Sequence, residues 1–95
     1  MTKGGFVYIM SNNRETLYTG VTNSLIRRVY EHKKDLTMGF TSRYKLHWLV
    51  YFEAFDTIEQ SIIREKQIKD INRKEKLAMI YKFNPKFKDL YDQIV

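Results

Sequence analysis

The sequence contains no cysteine, a single proline and only four glycines among its 95 residues. The absence of cysteine excludes disulfide frameworks, thiolate zinc sites and cysteine nucleophiles, and it is compatible with a reducing cytosol. The N-terminal apolar run ends at Ser11 after five residues, too few for a membrane span or a signal-peptide core. We therefore expect an untargeted cytoplasmic protein that does not associate with membranes.

Acidic residues are the minority charge, because 11 Asp and Glu stand against 17 Lys and Arg and give a net charge of +6. A basic protein favours anionic partners: nucleic acid, anionic lipid or an acidic protein. The apolar content of 43% supplies one modest hydrophobic core at this length. Residues 1–95 are therefore predicted to form a single domain, which we take to be a monomer.

Turn residues and helix-cap signals divide the chain into elements in the order β-β-α-β-α-α. These elements are strands 6–10, 16–21 and 47–55 and helices 24–35, 57–71 and 72–83, and a last short helix can follow over 88–94. Cap signatures at 56–60 and 72–75 begin two of the helices, and the apolar run of strand 47–55 indicates a central position in the sheet. The predicted fold class is α+β, with a three-stranded, mainly antiparallel sheet flanked by helices.

Two tyrosines of the predicted hairpin face each other across the strands. A three-residue loop at 12–14 places Tyr8 opposite Tyr18, and a register that differs by two residues makes them diagonal neighbours. Such a pair can simply stabilise the sheet, or it can face a site. The spacing alone does not distinguish these roles.

Helix 24–35 carries an apolar stripe that is predicted to face the sheet, made by Leu25, Val29 and Leu36. Arg28 and His32 lie four residues apart along one edge of this stripe. Arg28 can border a cleft there. The alternative is that its stem packs along the core while His32 stays in solvent.

Glu65 is placed unusually, because it projects into an apolar arc formed by Ile58, Ile62 and Ile68 on helix 57–71. A carboxylate in such a position requires an ionic partner, a bound cation or the mouth of a cleft. An ion pair with Lys69, four residues further along the helix, is the simple alternative.

Several short motifs follow one another in a specific order and spacing. They are Val7-Tyr8-Ile9, Leu17-Tyr18-Thr19-Gly20-Val21-Thr22, Leu25 with Arg28 and His32, Thr41-Ser42-Arg43, Leu49-Val50-Tyr51-Phe52-Glu53 and Arg64-Glu65-Lys66-Gln67-Ile68-Lys69. This combination resembles the GIY-YIG nuclease domain of the excision-repair UvrC subunit, of homing endonucleases and of small stand-alone bacterial proteins. The chain is most similar to the stand-alone group, with which it shares Phe6 and Thr19 as departures from the motifs.

The resemblance implies a metal-dependent phosphodiesterase that cleaves nucleic acid, DNA in preference to RNA. It implies that Glu65 holds one Mg²⁺ or Mn²⁺ ion and that Tyr8 and Tyr18 orient or deprotonate the attacking water. Arg28 would neutralise the phosphate in the transition state, and His32 would assist proton transfer or contact the phosphate. One carboxylate beside water and phosphate oxygens suits Mg²⁺.

Four further residues are predicted to contact the substrate: Thr22, Arg43, Lys69 and Asn84. Asn84 or Asn72 corresponds to the late polar residue of the family, and Asn84 is favoured because Asn72 already has a capping role. The family resemblance also suggests DNA repair as a setting. The alternative function is a non-catalytic nucleic-acid-binding module that keeps the nuclease fold.

Overall fold

The fold is built on a three-stranded antiparallel sheet with helices on both faces. The computed structural model describes residues 3–95; Met1 and Thr2, which begin the N-terminus predicted to be untargeted, lie outside the described residues. The elements in chain order are β1 (Gly5–Ser11), β2 (Tyr18–Thr22), α1 (Leu25–Lys33), α2 (Phe40–Arg43), β3 (Trp48–Phe55), α3 (Ile58–Asp70), α4 (Arg73–Phe83) and α5 (Tyr91–Ile94). The predicted fold class is confirmed.

The strand order is β2-β1-β3, so the central strand is β1, whose seven residues are all buried. The prediction that strand 47–55 is central was wrong: β3 lies at an edge. Its apolar run is explained by the chain after α4, which covers that edge. The Leu90 amide donates to the Leu49 carbonyl at 2.8 Å, and Asp89 Oδ1 accepts from the Leu49 amide at 3.0 Å. These bonds satisfy backbone groups that an edge strand leaves unpaired.

Side chains of β1 alternate between two apolar layers, as the pleat of a strand requires. The even-numbered residues face α1 and α5, and the odd-numbered residues face α3 and α4. The first layer includes Phe6, Tyr8, Met10, Leu25, Val29 and Leu90, and the second includes Val7, Ile9, Val50, Ile68 and Ile80. Gly5 lets α3 approach the sheet closely, since a Cβ there would lie 2.8 Å from Ile58 Cα.

The β1–β2 register pairs Tyr8 with Gly20 and Met10 with Tyr18. The predicted register that places Tyr8 directly opposite Tyr18 is therefore wrong by two residues. The two tyrosines are diagonal neighbours, as the alternative register predicts. The connecting loop runs over residues 12–17 instead of 12–14, because the Asn12 side chain accepts hydrogen bonds from two amides of the loop. Both tyrosines still lie on the same face of the sheet.

Helix boundaries follow the local cap signals closely. Thr57 with Gln60 and Asn72 with Glu75 form capping boxes at the starts of α3 and α4, as predicted. α5 begins three residues later than predicted, and the short α2 was not predicted. Among residues 3–95, none of the helices combines the length and apolar character needed to cross a membrane.

α1 ends at Lys33, two residues before its predicted end, and its core-facing stripe differs from the prediction. Leu36 lies beyond the helix and is 65% exposed, whereas His32 is only 3% exposed. The buried positions of α1 are Leu25, Val29 and His32, at i, i+4 and i+7. An imidazole thus takes the place in the core that Leu36 was expected to fill.

Asn84 is buried at the end of α4 and bonds only to backbone groups. Its Nδ2 donates to the Val50 and Lys88 carbonyls at 3.1 and 2.8 Å, and its Oδ1 accepts from the Lys88 amide at 3.3 Å. These contacts fasten the covering segment to β3. They favour a structural role for Asn84 over a substrate contact.

We expect Asn84→Ala to lower the free energy of unfolding by about 2 kcal/mol, because buried backbone partners lose their hydrogen bonds. The control is Asn72→Ala, which removes an exposed helix cap and should cost about 1 kcal/mol. Urea denaturation of both variants measures the difference. A smaller loss at Asn84 than at Asn72 would contradict the structural role.

Candidate active site

Tyr8 and Tyr18 bring their rings together on the α1 face of the sheet, with centroids 6.3 Å apart. Tyr8 is fully buried, and Tyr18 is half-buried in front of it. Gly20 makes this packing fit, because a Cβ at Gly20 would lie 2.5 Å from Tyr8 Oη and 2.9 Å from Tyr18 Cε2. The glycine of the second motif therefore leaves the space that the Tyr8 phenol occupies.

His32 joins the two tyrosines from α1. Its ring centroid lies 5.5 Å from that of Tyr8 and 5.7 Å from that of Tyr18, and its Nε2 is 2.8 Å from Tyr8 Oη. On the other side of the ring, Nδ1 is 3.1 Å from Thr37 Oγ1 and 3.0 Å from Thr41 Oγ1. His32 is therefore hydrogen-bonded through both ring nitrogens inside the core, and the alternative of a solvated His32 was wrong.

Burial changes the protonation of this pair. It raises the pKa of Tyr8, and the neighbouring Tyr18 adds to the shift, while the charge and hydrogen bonding of Arg28 oppose it. Burial also lowers the pKa of His32 to about 4, with a further contribution from the Arg28 charge. At neutral pH both groups are therefore uncharged. In the free protein, Tyr8 is therefore a neutral phenol that is hydrogen-bonded to His32.

Arg28 stands at the boundary between this buried pair and solvent, with 35% of its side chain exposed. Its Nε lies 3.1 Å from Glu31 Oε1, but without hydrogen-bond geometry. Within residues 3–95, Arg28 Nε is the one buried side-chain nitrogen or oxygen that lacks a hydrogen-bond partner. An unpaired buried donor is costly, and an anion such as a phosphate oxygen would satisfy it. Arg27, in contrast, is exposed and donates to Glu31.

Glu65 comes from α3, which packs against β1 and β2. The adjacent Arg64 fixes the rotation of this helix, because its Nε donates to Glu53 of β3 at 2.9 Å. The Glu65 side chain is 16% exposed and pairs with Lys69 at 3.1 Å. The predicted alternative ion pair is thus present. The expected apolar arc is reduced, since Ile62 is exposed and only Ile68 of its three members is buried.

An open cleft follows the free edge of β2, and we call it the edge cleft. It is lined by Leu17, Tyr18, Thr19, Phe40, Lys69 and Lys76. Consecutive residues of a strand point to opposite faces, so this lining shows that the cleft curves around the strand edge. It joins Tyr18 on one face to Lys69, the partner of Glu65, on the other. A neighbouring depression shares Phe40 and Lys76 and adds Arg73 to the basic wall.

A divalent cation fits this site only if most of its ligands come from water and substrate. In the described part of the chain, no group of three or more His, Asp or Glu side chains is placed to hold a metal ion. Glu65 is a single carboxylate whose ion-pair partner, Lys69, lines the edge cleft. Mg²⁺ commonly retains several waters and binds through one or two carboxylates together with substrate phosphates. The donor set therefore suits an ion shared with a phosphate substrate, not one held in a closed protein site.

The other predicted substrate contacts lie in different environments. Thr22 is buried, and its hydroxyl accepts from the Ser24 amide at the start of α1, which favours a structural role. Lys69 lines the edge cleft. Arg43 is exposed, lies over the Tyr44 ring, and lines a separate depression beside the hairpin loop.

The sequence reasoning did not single out Thr37 and Thr41 as partners of His32, or Phe40 and Lys76 as cleft residues. Thr41 does fall within one of the motifs that carry the family resemblance. Phe40 and Tyr44, exposed aromatics around a Thr-Ser-Arg motif, were the available signal for a surface helix.

Comparison with known proteins identifies relatives across most of the chain. Residues 4–84 match the family model described as the GIY-YIG catalytic domain. A UPF0213 protein of Haloquadratum walsbyi is 39% identical over 71 residues, which cover 75% of this chain and 80% of that protein. A UPF0213 protein of Clostridium perfringens is 37% identical over 75 residues, covering 79% and 81%.

A solved structure agrees with the fold described above. The solution NMR structure of a UPF0213 protein from Bacillus halodurans superposes with a TM-score of 0.51 at 26% identity, covering 80% of this chain and 81% of that chain. The predicted similarity to the small stand-alone group is confirmed by these relatives.

We expect Gly20→Ala to lower the free energy of unfolding by roughly 2 kcal/mol, because the added methyl group overpacks the Tyr8 ring. Chemical denaturation measures the loss. In the double variant with Tyr8→Leu, the loss should be smaller than the sum of the two single losses, since this change removes both Tyr8 Oη and Tyr8 Cζ, which lie 2.5 and 2.6 Å from the added Cβ. Strict additivity would contradict the proposed contact.

His32 should make the protein less stable in acid. Its folded-state pKa of about 4 lies below the ordinary 6.5, so the unfolded chain takes up a proton that the folded chain does not. Stability is therefore lost as pH falls from about 6.5 to about 4, by roughly 3 kcal/mol from this group. The contribution of His32 is measured by denaturation of wild type and His32→Gln at pH 7 and 4.5. The acidic groups are common to both proteins, so their effect on the pH dependence cancels in the comparison. Equal pH dependence would refute the assignment.

Proposed function

Because this chain belongs to the GIY-YIG family, we propose that it is a divalent-metal-dependent endonuclease that hydrolyses phosphodiester bonds in nucleic acid, DNA in preference to RNA. The observation that carries the proposal is the buried Nε of Arg28, which makes no hydrogen bond, together with the hydrogen-bonded pair of Tyr8 and His32. A donor in this condition is prepared for an anion, and a phosphodiester supplies one.

The proposed site has an accessible layer and a buried layer. Tyr18 and Arg28 belong to the accessible layer and would contact the substrate directly. Tyr8 and His32 lie behind them, and the charge of Arg28 acts on the pKa of both. This arrangement supports different roles for the two tyrosines: Tyr18 orients the attacking water, and Tyr8 positions Arg28.

The chemical step is a hydrolysis in which a water oxygen bonds to phosphorus and the ester P–O bond breaks. Tyr18 Oη accepts a hydrogen bond from the attacking water, which directs a lone pair of that water at phosphorus. Arg28 donates to the non-bridging oxygens as their negative charge increases in the transition state. The attacking water releases a proton to solvent as its oxygen bonds to phosphorus, and the leaving oxygen takes up a proton from solvent.

Glu65 would hold the cation at the mouth of the edge cleft. A bound Mg²⁺ or Mn²⁺ would supply an acidified water and stabilisation of phosphate charge. Lys69 is the positively charged partner of the Glu65 carboxylate in the free protein. A bound cation would take the place of Lys69 as that partner. The carboxylate is therefore neutralised both before and after the metal binds.

The substrate path proposed here runs along the edge cleft. Lys69 and Lys76 flank it, Arg73 extends its basic wall, and these cations can neutralise successive phosphates. Phe40 adds an exposed aromatic surface to the lining, 45% accessible, on which a base can stack. These contacts recognise backbone and bases without selecting a sequence.

Glu65→Gln is expected to abolish metal-dependent cleavage, because it removes the carboxylate charge and keeps the side-chain size. The control is Glu59→Gln, which makes the same change at an exposed position of α3. Both variants and the wild type are incubated with supercoiled plasmid, single-stranded DNA, a branched duplex and structured RNA, in Mg²⁺, Mn²⁺ or EDTA.

Cleavage by wild type and Glu59→Gln that is lost in Glu65→Gln and in EDTA is the expected result. Equal cleavage by all three proteins would refute the role of Glu65. Salt-sensitive binding of nucleic acid by the wild type without cleavage of any substrate would refute the nuclease function in favour of the non-catalytic module.

A further inference from the structure

Two threonine hydroxyls lie behind the buried imidazole, on the side away from the tyrosines. Thr37 precedes α2 and Thr41 belongs to it, and their Oγ1 atoms are 3.0 Å apart. Each also lies within 3.1 Å of His32 Nδ1. The role proposed for Tyr8, Tyr18 and Arg28 does not account for this arrangement of three polar groups.

The hydrogen-bond capacity of the neighbouring groups determines the direction of the bonds. A guanidinium can only donate, whereas a phenol can both donate and accept. The positive charge of Arg28 opposes the rise in the pKa of Tyr8, so a phenol beside it is expected to turn its oxygen lone pairs toward the guanidinium and its proton away. The phenolic proton then needs an acceptor of its own, and His32 Nε2 lies 2.8 Å away.

His32 is neutral at pH 7, so only one of its ring nitrogens carries a hydrogen. If Nε2 accepts from Tyr8, the hydrogen must be on Nδ1, where it needs an acceptor. The Thr37 and Thr41 oxygens are within reach of Nδ1, and each hydroxyl can still donate its own proton elsewhere. This assignment gives the phenolic proton of Tyr8 and the ring hydrogen of His32 an acceptor each.

We propose that Thr37 and Thr41 are positioning residues that hold His32 in the Nδ1–H tautomer, so that Tyr8 donates to His32 Nε2 and presents its oxygen to Arg28. The functional part of this proposal rests on the nuclease function proposed above. The tautomer itself does not, because it is a property of the free protein.

The opposite tautomer would disturb the site. With the hydrogen on Nε2, His32 and Arg28 would both donate to Tyr8 Oη, and the buried phenolic proton would have no acceptor. An unsatisfied buried donor is costly, and Tyr8 would reorient to relieve it. Arg28 would then lose the phenolic oxygen that faces its charge.

The first test is nitrogen NMR of the imidazole rings in ¹⁵N-labelled protein at pH 7, without nucleic acid or metal. The two histidines are distinguished by the spectrum of His32→Gln. We expect His32 to show a protonated Nδ1 and an unprotonated Nε2 in the wild type. A protonated Nε2 would overturn the proposal whether or not the protein is a nuclease.

The second test removes the hydroxyls while keeping side-chain shape, in the double variant Thr37→Val with Thr41→Val. We expect its His32 to shift to the Nε2–H tautomer, and the matched control, Thr37→Ser with Thr41→Ser, to retain the wild-type tautomer. An unchanged tautomer in the valine variant would overturn the proposal. If that variant fails to fold, Thr41→Val and Thr41→Ser alone give the comparison: a tautomer shift with valine but not serine is expected, and identical behaviour would refute it.

Cleavage kinetics then test the link to the proposed function. The valine variant should lose roughly tenfold in kcat with little change in KM, because Arg28 acts on the transition state. The serine variant should recover most of the rate. A tautomer shift with kcat unchanged would refute the positioning role, and loss of the rate in both variants would show a general packing defect instead.

Discussion

The hydrogen bond between Tyr8 and His32 joins the central strand to α1 inside the apolar layer, and much of the molecule is arranged around it. A phenol and an imidazole in this position each need partners, because a buried polar group without a hydrogen bond is costly. Gly20 provides the space for the phenol, and α2 brings the hydroxyl of Thr41 behind the imidazole. The motif residues of β1, β2, α1 and α2 are therefore linked by one requirement for hydrogen-bond satisfaction.

The same pair of buried polar residues lies behind the candidate site residues that are accessible to solvent. Tyr8 and His32 are covered, uncharged and fixed, whereas Tyr18, Arg28 and Glu65 meet solvent at the edge of the sheet. A rigid polar layer behind exposed groups reduces the reorganisation needed when a charged ligand arrives. The Nε of Arg28 fits this view, because it is paired with Glu31 without a hydrogen bond and can still donate to a bound anion.

Local features of the fold could be predicted from the sequence, and long-range ones could not. The capping boxes at 57–60 and 72–75 depend on residues three apart, so the starts of α3 and α4 were predicted correctly. The central position of β1 depends on pairing with two distant strands. β3 looks like a central strand in sequence because residues 84–90 cover its edge.

The candidate site shows the same limit. Tyr8, Tyr18, Arg28 and Glu65 could be selected by motif, but the burial of His32 could not, because its partners come from residues 8, 37 and 41. Helical periodicity favoured Leu36 for the core, since an apolar side chain is the usual choice there. Helical periodicity carries no information on the three polar partners whose hydrogen bonds allow an imidazole to be buried in that position.

The two edges of the sheet differ in a way that affects solubility. The edge of β3 is covered by the polypeptide itself, but the edge of β2 opens into a cleft flanked by Lys69 and Lys76. An open strand edge invites pairing with another copy of the chain. Two copies that approach along β2 would bring their lysines face to face, and the repulsion would be strongest at low ionic strength. The basic wall thus protects the protein against edge-to-edge aggregation, and a bound polyanion would cover the edge itself.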